Sequence, residues 1–219
     1  MPLAPSSPNA VAYRAMAAVG RGDLAGAQRV LADAARDITP AALAADMATY
    51  NDLGWALDDA GQRLALSLGP EAYDGNRATW GLVRAQLHHW RGDTAQARVW
   101  ADTARVSLAE QLRATPEDGQ LHALHGLALG YLGRRTEAAA EAERAVALAP
   151  VVRDAELGPY FEYLRARTYL LLGNREKALD VLERVLALPF YVSGEWLRID
   201  PSFAPLRGDP RFERLTAGR

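Results

Sequence analysis

Four histidines are the side chains whose spacing comes nearest to chemistry. His88 and His89 are adjacent, and His122 and His125 lie three apart, on one face if that segment is helical. Stacked neighbouring segments would bring His88 towards His122 and His125, and three imidazoles can ligate zinc or another transition metal. No Glu-x-x-His or His-Glu-x-x-His pattern accompanies them, so packing between helices is the simpler reading and no metal is expected. Gly20-x-Gly22-x3-Gly26 has the wrong spacing for a dinucleotide loop, and no strand precedes it. Neither a Gly-x-Ser-x-Gly elbow nor a phosphate-binding loop occurs. Asp58 and Asp59 are adjacent on a helical stretch and point apart, so they cannot share a proton. Cysteine is absent, which removes thiolate ligands, a cysteine nucleophile and disulfides. The expectation is a protein that is not an enzyme, with no catalytic residue and no cofactor.

The elements that would position such residues follow from composition and period. With 219 residues, 49% of them hydrophobic, the chain can bury a sizeable core. Its net charge of −2 creates no basic field for nucleic acid. Only Lys177 among the 25 basic residues is a lysine, a bias that reads as high-GC bacterial coding. No apolar run approaches the ~18 residues that span a bilayer. Residues 1–8 lack a basic stretch followed by an apolar one, and read as a disordered lead-in rather than a signal peptide. A cytoplasmic protein is the expectation, with its oligomeric state left open.

An internal repeat dominates the rest. Four segments consist of a helical stretch, a Gly-containing turn and an Ala-rich helical stretch, with turns at Gly22, Gly92, Gly133 and Gly173. Each Gly is followed five residues later by Ala27, Ala97, Ala138 or Ala178. Seven residues before it stands Ala15, Ala85, Gly126 or Ala166. Antiparallel helices approach closely only where side chains are small, and the turn needs a residue tolerant of positive φ. Asp23, Asp93 and Asn174 then stand where the second helix needs its N-cap. A fifth, degenerate unit is expected between the first two, with a first helix over Tyr50–Leu57, a turn at Gly61 and a short second helix over Gln62–Leu68. No run of period-two alternation argues for a strand.

These units resemble tetratricopeptide (TPR) repeats, over roughly residues 9–190. Tyr50, Leu53, Gly54 and Leu57 match the first half of the family pattern. Gly126, Leu129, Gly133, Ala138, Ala145 and Pro150 match most of one repeat, and Ala166, Tyr169, Gly173 and Ala178 most of another. Arg14, Arg84 and Arg165 depart from it, standing where Leu is usual. The resemblance implies an all-α fold, a TPR-like right-handed superhelix of antiparallel helix pairs, about five units in all. The tail, residues 191–219, is similar to the ending of TPR regions in bacterial multidomain regulators of the serine/threonine kinase, adenylate cyclase-like or transcriptional regulator type. Its Asp200-Pro201 and Asp209-Pro210 pairs each start a short helix. Phe203, Leu206, Phe212 and Leu215 would then cap the last repeat.

Such folds bind on the concave face of their first helices. Counting from each turn Gly, the expected partner-binding residues are Asn51, Trp55 and Asp58, then Gln86, His89 and Trp90, then Tyr131, and finally Tyr160, Tyr163 and Arg167. Aromatics and Arg carry much of the energy of interfaces. The expected function is a scaffold that holds a partner peptide or helix in this groove. The alternatives are an effector-sensing regulatory domain of a bacterial kinase or transcriptional regulator and, in a different class, a histidine-cluster metal protein or enzyme.

Overall fold

The computed structural model describes residues 7–49 and 52–217. Among them there is no strand. Ten helices form five antiparallel pairs in chain order: α1 (Pro8–Val19) with α2 (Leu24–Ala34), α3 (Pro40–Thr49) with α4 (Asp59–Ser67), α5 (Arg77–Trp90) with α6 (Thr94–Ala114), α7 (Gly119–Tyr131) with α8 (Arg135–Leu148), and α9 (Leu157–Leu171) with α10 (Arg175–Leu186). The tail adds α11 (Gly194–Ile199), a 3-10 turn at Pro201–Leu206 and α12 (Pro210–Thr216).

The same backbone device closes four of the pairs. Gly22, Gly92, Gly133 and Gly173 all have φ between 75° and 81°. The residue after each donates its N–H back across the turn: Asp23 to Ala18 O, Asp93 to His88 O, Arg134 to Leu129 O and Asn174 to Tyr169 O, at 2.8–3.0 Å. This is a Schellman C-cap, and it satisfies carbonyls that the helix end would leave orphaned. In three turns that same residue also starts the next helix. The side chains of Asp23, Asp93 and Asn174 accept the N–H of Gly26, Gln96 and Lys177.

Small residues set the spacing within pairs. Ala15, Ala85 and Ala166 are fully buried, as are Ala27, Ala138 and Ala178. At Gly126 a Cβ would come within 3.1 Å of the Ala138 carbonyl and the Ala142 nitrogen. A longer side chain there would push α7 off α8. Two of the arginines that break the repeat pattern make their own arrangements. Arg84 lies over the Trp80 and Trp100 rings and donates to the Leu66 carbonyl. Arg165 pairs with Glu143 and Glu162. Both bury their stems against the array while a carboxylate or carbonyl takes the charge.

The second unit differs from expectation. Its first helix is α3, ten residues upstream of the position expected, and Gly61 is no turn. Thr39 Oγ1 accepts the Ala42 N–H and Pro40 follows it, which starts α3 early. Asp58 accepts the Gly61 N–H at 2.7 Å, which places Gly61 inside α4. Between them residues 52–57 run as an irregular, buried segment with a 3-10 turn at Gly54–Ala56, because Leu53 and Trp55 find partners in the core rather than along a helix.

The tail does more than cover the last pair. α12 lies on α10, where Arg211 binds Asp180 and Glu183 at 2.7 Å. α11 reaches the first pair. There the Ser193 hydroxyl donates to the Gly20 carbonyl at 2.7 Å, while Trp196 meets Trp55 of the second unit edge-on at 6.1 Å. The 3-10 turn between them crosses the concave face against α9. Trp196, Leu197, Phe203, Leu206 and Phe212 are all buried to within 1%. Their burial against the array stabilises the crossing, by roughly 1.5–3 kcal/mol per large side chain before the ordering cost.

Candidate functional site

One stripe of each first helix faces the concave side. On α5 it runs Thr79, Leu82, Val83, Gln86, His89 and Trp90, on α7 Gln120, Leu124, Leu127 and Tyr131, on α9 Leu157, Tyr160, Arg167, Leu170 and Leu171. These positions recur at intervals near three, four and seven residues, some as adjacent pairs, so they lie along one face of each helix. The crossing tail divides this surface into two hollows.

The smaller, about 310 Å³, lies at the C-terminal ends of the stripes and is walled by Pro201, Ser202, Ala204 and Pro205. His89, Trp90, Tyr131 and Arg167 line it, and Trp90 Nε1 donates to Ser202 Oγ at 3.3 Å. The larger, about 1150 Å³, lies at the N-terminal ends and opens to solvent. Tyr13 and Met16 of α1, Asp46 and Thr49 of α3, the stripes of α5, α7 and α9, and Phe190 and Tyr191 enclose it. Gln86 and Tyr160 belong to this one.

Between the hollows lies a buried polar layer. Arg167, 3% exposed, lies 3.5 Å from Asp52 Oδ1 and donates to Gln86 Oε1. The Tyr160 hydroxyl donates to Asp52 Oδ2 at 2.7 Å. Burial and the neighbouring Asp52 carboxylate raise the Tyr160 phenol well above its ordinary range, so it remains a donor. Tyr163, buried, donates to Asp200 Oδ2 at 2.8 Å, and Trp196 Nε1 reaches the same oxygen at 3.4 Å. Asp200 Oδ1 meanwhile accepts the Ser202 N–H and starts the 3-10 turn. Arg167 Nη1 makes no hydrogen bond and faces Asp52 only as an ion pair, while the other members of the layer hold the tail and the first helices together.

The residues expected in the groove thus divide by place. Gln86 and Tyr160 face the open cavity. His89, Trp90, Tyr131 and Arg167 face the hollow that the tail walls off. Tyr163 lies under the tail, against Phe203 at 5.7 Å. Trp55, 6% exposed, lies in the 3-10 turn rather than in a first helix and packs on Trp196, and Asp58 is exposed as the N-cap of α4. Asn51 lies outside the described residues. The reason for the division is the tail, whose large apolar groups need a surface and take part of the groove. Tyr13, Asp46, Thr49, Phe190 and Tyr191 were not singled out from the sequence. The Thr39-Pro40 start signal was the clue to α3, and with it to Asp46 and Thr49.

Three of the four histidines pair with two acids. His88 Nδ1 lies 3.6 Å from Asp93, while His122 Nδ1 and His125 Nδ1 flank Glu141 at 2.5 and 3.4 Å. Among the described residues no group of three or more His, Asp or Glu is placed to hold a metal ion. Nor is any helix long and apolar enough to cross a membrane.

Residues 163–189 match the family model for the tetratricopeptide repeat, a span from the middle of α9 through α10. No curated protein and no solved structure matches the chain. With four Schellman turns of one geometry and every pair antiparallel, the described residues form an all-helical array of TPR-like pairs that carries a tetratricopeptide repeat at residues 163–189.

Proposed function

We propose that the chain is a protein-interaction module that holds a segment of a partner protein in the open cavity. Tetratricopeptide repeats generally mediate protein–protein contacts. The observation that carries the reading is where apolar surface is left uncovered. Of the six large hydrophobic side chains exposed among the described residues, Tyr13 (61%), Leu157 (39%) and Tyr191 (38%) all lie on the cavity wall. Exposed apolar groups gathered at one concavity mark a docking site, whereas scattered ones do not. The volume exceeds the ~300–1000 Å³ usual for small-molecule sites, which suits a stretch of chain.

The test is selection of 12-residue peptides from a random displayed library on the intact chain, with affinities measured by fluorescence anisotropy. Tyr13→Ala and Leu157→Ala should each weaken the selected peptides by ~1–2 kcal/mol, the cost of losing an apolar anchor. Peptides that bind both variants like the parent, or a selection that yields none, would refute the reading.

A further inference from the structure

We infer that the segment held in the cavity is a basic one, presenting a lysine or arginine side chain among large apolar residues. This deepens the reading just given and rests on it. The cavity wall carries Asp46, Asp52, Asp74 and Glu156, and no Lys, Arg or His stands among the described residues that line it. The chain has 25 Lys and Arg, so their absence from one large concave surface sets its sign. The nearest buried cation, Arg167, serves Asp52 and Gln86 from behind the wall.

The last turn of α3 makes the site specific. Asp46 Oδ2 and Thr49 Oγ1 are both buried, and neither has a hydrogen-bond partner. The two side chains stand three residues apart, so they share a face of the helix, and both line the cavity. Buried polar atoms without partners are rare in folded proteins and destabilise them. A carboxylate oxygen beside a neutral hydroxyl oxygen is an acceptor set for an ammonium or guanidinium group. Asp46 is half-buried and burial raises its carboxyl above the ordinary value, the direction expected of an acid that lacks its counter-charge. Ala42, Ala45 and Met16 stand nearby on the wall and offer apolar surface to the alkyl stem of a long cationic side chain, and Tyr13, Phe190 and Tyr191 offer aromatic faces. A cation entering there would complete the two orphaned acceptors, and an acidic segment would be repelled by Asp46 and Glu156.

The peptides selected on the intact chain provide the test. The expected consensus is a Lys or Arg flanked by aromatic or branched apolar residues. Asp46→Asn keeps the shape and removes the charge, and should weaken such a peptide at least about tenfold. Glu156→Gln, on the rim, should act mainly through slower association and a shallower salt dependence. The charge reading is overturned if the selected peptides are neutral or acidic, or if Asp46→Asn binds basic peptides like the parent. In that case sensitivity to Tyr13→Ala and Leu157→Ala still leaves the cavity as the docking site. If lysine amide alone competes as well as the peptide, the site is a small-cation site and the peptide assignment fails. Asp46→Asn melting at or above the parent temperature shows that the lost binding is not lost folding.

Discussion

The Tyr163 hydroxyl donates to Asp200 Oδ2 across 37 residues of sequence, at a point where both side chains are buried. One end of the bond is on the last first-helix, the other at the start of the turn that crosses the groove. Asp200 is thus a helix starter and an anchor at once. Tyr163→Phe should cost ~1.5–3 kcal/mol, because Asp200 Oδ2 loses a charged hydrogen bond and that oxygen keeps only the longer one from Trp196. Chemical denaturation reads the loss. Faster trypsin cleavage at Arg198 or Arg207 would show that the tail is what loosens.

Arg167 and Asp52 form the polar layer's charged pair. Removing one member of a buried pair leaves the other uncompensated, so Arg167→Ala should destabilise by ~3–5 kcal/mol. Asp52→Asn combined with it should cost far less than the sum of the two single changes. Strict additivity in that double-mutant cycle would mean the pair is not coupled.

Glu141 gives the stability a dependence on acid. Burial pushes its carboxyl up, but His125 and His122 more than reverse this and hold it below the ordinary 4.5. The unfolded chain then takes up its proton first as pH falls, so the stabilisation is present above pH 4.5 and lost as pH drops through the folded value. Glu141→Gln should be less stable than the parent by about 1 kcal/mol at pH 6, a modest amount because the group is a quarter exposed. The gap should close towards pH 3. A gap that widens in acid would reverse the assignment.

Gly133 and Gly126 separate two uses of glycine. Nothing lies within 4 Å of a Cβ on Gly133, but its φ is 75°. Gly133→Ala should therefore cost only the ~1–2 kcal/mol of a left-handed L-residue. Gly126→Leu, which must part α7 from α8, should cost more or abolish folding, as thermal melts would show.

The sequence carried the four regular pairs in full, because their turns rest on local rules: a positive-φ glycine, a capping acid and small residues at fixed distances. It misled at the second unit, where the Tyr50–Leu57 stretch resembles a first helix. There the local signals at Thr39-Pro40 and Asp58 outweighed the family pattern. Part of the stripes on α5, α7 and α9 was also legible: Gln86, His89, Trp90, Tyr131, Tyr160 and Arg167 line the hollows, since helical period fixes a face once the turns are known, whereas Tyr163 does not. Which part of the stripes faces solvent was not. That depends on where a tail 30 residues further on chooses to lie, and no spacing in the chain encodes the Trp90–Ser202 or Trp55–Trp196 contacts.

The Ser193–Gly20 contact joins positions 173 residues apart. An open solenoid flexes like a spring and unravels from its ends, since each unit touches only its neighbours. Here the last segment is fastened to the first turn, so stretching the array must break that fastening. The cavity should keep its width whether or not anything lies in it. The two termini should melt with the middle rather than fray ahead of it, and hydrogen exchange at α1 should report global unfolding. Folding acquires a long loop to close, which slows it relative to an unclosed array of the same helices.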